Sequence, residues 1–170
     1  MKKLLYILPI ILLFIGCSGD PTKFEDDPRV QTIYGIERFY QNGEKLDDLG
    51  NLEVNPCQDS LFKLVAFPNP SYNTSTVIQF SLEEEKEVEV SIETAHASDE
   101  LKEEFNSIGL EIRDHFEYKN FVFYTEIMEK GNNSVFHLMY IFEPGAYLIK
   151  IKDNEGNTNC FPFVIVPNLE

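Results

Sequence analysis

Apolar and polar residues alternate in short runs along most of the chain from Val30 onward, and the runs are cut by turn residues at regular intervals. The clearest run is Phe67–Leu82, FPNPSYNTSTVIQFSL. Two prolines bracket Asn69 and hold the backbone extended. A polar turn cluster follows from Ser71 to Ser75, and then Val77 and Gln79 point to one side while Ile78 and Phe80 point to the other. This pattern predicts a sandwich strand with a rigid approach. Val30–Tyr40, VQTIYGIERFY, is rich in β-branched and aromatic residues and predicts another strand, with a bend at Gly35. Gln41-Asn42-Gly43-Glu44 predicts a tight hairpin turn. The segment LDDLGNLEV after it has no clear period, and LFKLVAF ending at Phe67 is a further apolar run. Strands are predicted over Phe121–Met128, Ser134–Phe142 and Cys160–Val166, and a weaker one over Leu110–Arg113. Turns are predicted at 130–133 and 153–156. Pro162 marks the last strand as an edge. One helix is predicted: Ser98 caps it, Asp99 and Glu100 occupy its first turn, Leu101, Phe105 and Ile108 recur at helical spacing, and Gly109 stops it. The sum is an all-β antiparallel sandwich with one short inserted helix.

Composition agrees with a folded domain. Of the 170 residues, 43% are hydrophobic and 13% aromatic, too many for a disordered chain. The formal net charge of −15 excludes nucleic acid as the partner, because such binding rests on Lys and Arg at phosphates. It also weighs against docking of the folded domain on an anionic membrane surface. Solubility is its plainest consequence.

The first residues read differently from the rest. Lys2 and Lys3 are followed by an apolar run from Leu4 to Ile15, interrupted only by Pro9. A bilayer-spanning helix needs about 20 apolar residues; this run has the length of a signal-peptide core. Phe14-Ile15-Gly16-Cys17 then resembles the lipobox of bacterial lipoproteins, with Phe14 where Leu is usual. The resemblance implies that residues 1–16 are a lipoprotein signal peptide and that Cys17 becomes the first residue, carrying a diacylglyceryl thioether. Removal of the leader takes Lys2 and Lys3 and leaves a net charge of −17. Ser18 after the cysteine implies sorting to the outer membrane. More than one acyl chain makes such an anchor stable, at about 0.8 kcal/mol per buried methylene. Residues 17–29, with Gly, two prolines and four acids, read as a flexible tether, and 30–170 as one β-sandwich domain.

A second resemblance covers about 64–166. The Phe-Pro-Asn-Pro opening, the Ser/Thr turn and the alternating strand resemble the type IX secretion C-terminal sorting domain and the related FlgD-like immunoglobulin-fold domains. Glu87–Glu93 fits the second strand of that family, Gly131–His137 its Gly-x-x-x-Val strand, and Pro144–Ile151 its closing Gly-x-Tyr strand. The resemblance implies an immunoglobulin-like sandwich. The chain departs from the family at Glu93-Thr94-Ala95-His96, where an Asp-x-x-Gly turn is usual. It also carries a longer middle segment and no Lys or Arg after Lys152, where sorting members end in a basic strand.

With Cys17 assigned to lipid, Cys57 and Cys160 remain, and an oxidising compartment would pair them. The alternative is two buried free thiols. Among candidate chemistry, His96, His115 and His137 lack the i, i+4 spacing of a helical zinc pair, and His137 reads as a residue at the core edge. The acidic run Glu83–Glu89 and the turn Asp153-Asn154-Glu155-Gly156 lack the ligand order of a calcium loop and read as solvated hairpin tips. No Gly-x-Ser-x-Gly elbow, phosphate loop or dinucleotide fingerprint occurs. Asp59-Ser60-Leu61 matches a short O-glycosylation acceptor pattern. No catalytic residue, metal site or cofactor is expected. The function expected is a lipid-anchored envelope protein with a non-enzymatic structural or interaction role, held to the membrane through Cys17 and facing a protein or glycan partner in the periplasm or outside. The alternatives are a type IX secretion cargo or sorting element and, with less support, a hydrolase.

Overall fold

The computed structural model describes residues 24–56, 63–72 and 74–167. Among these residues eleven strands, β1 (Thr32–Ile33), β2 (Gly35–Phe39), β3 (Lys45–Gly50), β4 (Leu64–Phe67), β5 (Ser75–Leu82), β6 (Lys86–Thr94), β7 (His96–Ala97), β8 (Asn120–Met128), β9 (Gly131–Leu138), β10 (Gly145–Asp153) and β11 (Thr158–Ile165), accompany one α-helix, α1 (Asp99–Ser107). A three-stranded sheet, β4-β5-β9, faces a four-stranded sheet, β11-β10-β6-β8, with antiparallel pairing in both. This is an immunoglobulin-like sandwich with a short inserted helix. The alternation in β5 places Ile78, Phe80 and Leu82 in the space between the sheets, where they meet Val88, Val90 and Ile92 from β6 and Ile149 and Ile151 from β10.

A third layer lies on the outer side of the four-stranded sheet. The β2–β3 hairpin, the parallel β1–β7 pair and α1 bury Ile33, Ile36, Leu101 and Phe105 against Ala146, Leu148, Val164 and Val166. Strands β10 and β11 are therefore covered on both faces, which explains their near-continuous apolar runs. The helix forms where its caps predict. The Ser98 hydroxyl accepts from the Leu101 amide at 3.2 Å, and Leu101 and Phe105 are buried. Ile108, expected on the same face, caps the helix just past its last turn and is exposed.

Several boundaries differ from the sequence reading. The strand over 30–40 is split at Tyr34, because Asn55 inserts its carboxamide there, accepting from the Tyr34 and Gly35 amides at 2.7 and 3.2 Å and donating to the Gly35 carbonyl at 2.8 Å. Gly50 beside it has φ +73°, and a Cβ there would lie 2.1 Å from the Tyr34 carbonyl oxygen. Residues 110–113 form no strand; Ile112 instead drops into the outer core. In the described part of the expected tether, 24–29, two residues touch the domain. Phe24 is buried with its ring edge-on to His115 at 5.9 Å, and Arg29 pairs with Asp27 at 2.6 Å and lies over the Tyr118 ring.

The three layers meet at Asn69. Its side chain donates to the Glu37 carbonyl at 2.8 Å and the Pro162 carbonyl at 3.1 Å, and accepts from the Val164 amide at 3.1 Å. Its backbone exchanges two hydrogen bonds with Phe39. Two residues on, Ser71 bonds the outer edge of β11 through the Val164 carbonyl and the Val166 amide. We expect Asn69→Ala to lower stability by about 2–4 kcal/mol, since it strands one buried and two part-buried backbone groups. Urea unfolding checks this, and an unchanged midpoint would remove Asn69 from its joining role.

Candidate functional site

At one side of the sandwich the two sheets end in β8 and β9. Among the described residues no strand pairs with the outer edge of either. At the opposite side Ser71 and Asn69 bond the edge of β11, and the chain just after β4 is bridged to the β2–β3 hairpin through Asn69 and Phe39. Strand β9 carries no charged residue and β8 only Glu126, so neither has the lysines or prolines that blunt a sheet edge.

The gap between these edges is filled by rings. Phe123 lies 3.9 Å from His137 and 5.9 Å from Phe142, Phe121 lies 5.6 Å from Phe142, and Phe142 lies 6.0 Å from Tyr147. Tyr147 continues to His115 at 4.6 Å and His115 to Phe24. A β-bulge makes the cluster. Val90 of β6 faces Tyr124 while Ser91 faces Val122, so Phe123 is an extra residue and strict alternation is lost. Phe123 and Tyr124 are consequently both half-buried. Over the rings opens a cleft of about 390 Å³, lined by His115, Lys119, Phe121, Ile141, Phe142 and Glu143 among others.

The polar groups around the cleft are largely engaged with the backbone. His115 is bonded through Nε2 to the Ala146 carbonyl at 2.9 Å, and burial pushes its pKa below the usual histidine value against the pull of that bond. The Tyr147 hydroxyl donates to the Glu143 carbonyl at 2.5 Å, and burial raises its pKa. Thr94 Oγ1 accepts from the Lys119 amide at 2.8 Å and donates to the Glu117 carbonyl at 3.3 Å. Lys119 and Glu117 are paired at 3.1 Å. His137 Nε2 and the Tyr124 hydroxyl are buried without a hydrogen-bond partner; burial lowers the pKa of the first and, as the larger effect, raises that of the second. The arrangement offers stacking and apolar contact with opposite charges at its rim. It offers no hydroxyl or thiol activated by an adjacent base among these groups.

The residues singled out from the sequence fall in several places. His115 and His137 belong to the same ring cluster, whereas His96 stands with Nδ1 3.6 Å from Asp114. Among the described residues no group of three or more His, Cys, Asp or Glu is placed to hold a metal ion. The acidic run at Glu83–Glu85 is a hairpin tip. In the turn after β10, Asp153 is a structural anchor: it binds the Asn157 and Glu155 amides, the Asn157 carboxamide and Lys86. Burial pushes its pKa up, but these bonds outweigh that and hold it lowered. Cys160 is half-buried on β11 and disulfide-bonded; both other cysteines, Cys17 and Cys57, lie outside the described residues, as does 59–61. Among the described residues no helix is long and apolar enough to cross a membrane. No family model, curated protein or solved structure matches this chain.

Sequence reading missed the cleft, although its rings stand out as NFVFY and YIFEPGAY. Gly145 is a further part of it. A Cβ on this residue would lie 2.5 Å from His115 Cε1 and Nε2, so the ring can sit on Ala146 only because position 145 has no side chain.

The two lowered histidine pKa values carry a pH dependence. Unfolded, each histidine takes up a proton from about pH 6.5 downward. Folded, His115 and His137 do so only at lower pH. Stability therefore falls as pH drops through this window. We expect a lower urea midpoint at pH 5.5 than at pH 7.5, and a smaller difference in His137→Phe, which removes a titrating ring without breaking a hydrogen bond. An unchanged difference would exclude His137 as a source.

Proposed function

We propose that the chain is a lipid-anchored β-sandwich protein of the bacterial envelope, sorted to the outer membrane, with a non-enzymatic structural or interaction role. The observation that carries the interaction role is the open β8–β9 side. Two long strand edges and an aromatic cleft lie together there, while the polar groups lining the cleft are largely bonded inward. Such a side accepts a protein or glycan partner through ring stacking and exposed strand edges. The anchoring rests on Lys2, Lys3, the apolar run to Ile15 and the lipobox-like Phe14–Cys17.

A type IX secretion cargo or sorting element has less in its favour. Removing a C-terminal sorting strand would strip β11, whose Phe161, Phe163, Val164 and Ile165 are buried in the two cores. In the anchored reading Cys57 and Cys160 form the disulfide and tie β11 to the segment before β4. The closed loop is long, so loss of the bond is worth on the order of 4 kcal/mol in the chain-entropy account.

Intact mass of the protein from the membrane fraction tests these statements. We expect residues 17–170 plus acyl chains, two hydrogens gained on reduction, and release of Cys17→Ser from membranes. A lipid-free chain missing β11 would overturn the anchored reading in favour of sorting. We further expect Cys57→Ser to lower the urea midpoint, and no change would exclude the Cys57–Cys160 bond.

A further inference from the structure

The sandwich has two unlike poles. Strand register sets them: Asn120 at the start of β8 faces Glu93, Thr94 at the end of β6 faces Tyr147, and Leu138 at the end of β9 faces Ser75. The start of β8, the end of β9, the helical turn Met139–Ile141 and the start of β10 thus share one pole. At the other pole lie the β5–β6, β8–β9 and β10–β11 turns.

The first pole is apolar. Phe116 is 94% exposed, Tyr140 60%, Ile141 55%, and Phe121 and Leu138 45% each. Its charges at the cleft are Lys119, paired with Glu117, and Glu143. The second pole is acidic, with Glu83, Glu84, Glu85, Glu129 and Glu155 exposed. Its Lys86 is bound by Glu84, Asp153 and Glu155, which leaves Lys130 as the exposed cation in these turns.

The chain reaches the domain at the apolar pole. Phe24 packs on His115, which lines the cleft and precedes Phe116. From Cys17 to Phe24 the chain spans at most about 25 Å even when fully extended. The nine residues of β8 alone separate the poles by about 30 Å. A lipid on Cys17 therefore cannot reach around to the acidic pole.

We infer that the apolar pole, with Phe116, Phe121, Leu138, Tyr140 and Ile141, rests in the interfacial zone of the same bilayer that holds the anchor, and that the acidic pole points away from it. This rests on the proposed lipidation of Cys17 and names the lipid surface as a partner of the cleft end of the site. Aromatic side chains with one apolar and one wet side favour the headgroup level. Water at that depth satisfies the backbone of the loop 114–119, which hydrocarbon would not. The net negative charge sharpens the orientation, because headgroup phosphates repel the turns that expose five glutamates more than the pole that exposes rings. The β8 and β9 edges rise from the surface and stay free for a partner.

The chain contains no Trp, so single replacements make clean reporters. Full-length lipidated protein carrying Phe116→Trp or Glu84→Trp would be incorporated into phosphatidylcholine vesicles with and without brominated acyl chains. We expect blue-shifted emission and at least twofold quenching for Phe116→Trp and neither for Glu84→Trp. Emission of Phe116→Trp unshifted and unquenched, in protein that floats with the vesicles, would overturn the inference while leaving the anchor intact. Protein that does not float overturns the anchoring first and this inference with it. A blue shift present without vesicles and growing with protein concentration would assign the pole to a second copy of the chain instead.

Discussion

The carboxamide of Asn69 sits where the three layers meet. It is fully buried, and both its oxygen and its nitrogen are bonded to backbone groups of β2 and β11. A buried amide with partners on two elements fixes their relative position, because any slip leaves polar groups unpaired in a low-dielectric interior. Pro162 makes the arrangement specific. It gives no amide hydrogen, and its carbonyl is taken by Asn69. Through this contact the outer hairpin is attached to the sandwich, and the outer edge of β11 is closed.

Closure of that side explains the openness of the other. The outer layer covers β10 and β11 and leaves β8 bare on its outer face. Where β6 approaches β8, the outer face turns polar. Glu93 pairs with Lys150 at 2.5 Å and accepts from Asn120 at 3.3 Å, so that region is kept by charge pairing instead of apolar cover. The bulge at Phe123 then twists the free edge and turns two consecutive aromatic side chains inward. The cleft is a product of layers that protect one side of a sheet and stop short of the other.

The distribution of charge follows the same axis. Acids collect on the hairpin turns of one pole, where water solvates them and like charges can spread apart. The other pole is built from a loop, a helical turn and strand ends that expose rings.

Local sequence sufficed for the strands with a strict period of two, for α1 and its Ser98 cap, for the Gly43 hairpin and for the edge character of β11. Each depends on neighbours within a few residues, where periodicity and capping act. It also carried the leader pattern, which is a matter of composition and spacing. It did not determine the split at Tyr34, made by Asn55 some twenty residues away, or the burial of Phe24, made by a ring beyond residue 110. Neither did it foretell that Ile112 would serve the outer core without a strand, or that His115, His137 and five aromatic rings from different elements would form one cluster. Those outcomes rest on long-range contacts and on one extra residue in β8, and alternation along a strand holds no record of which face a distant segment covers.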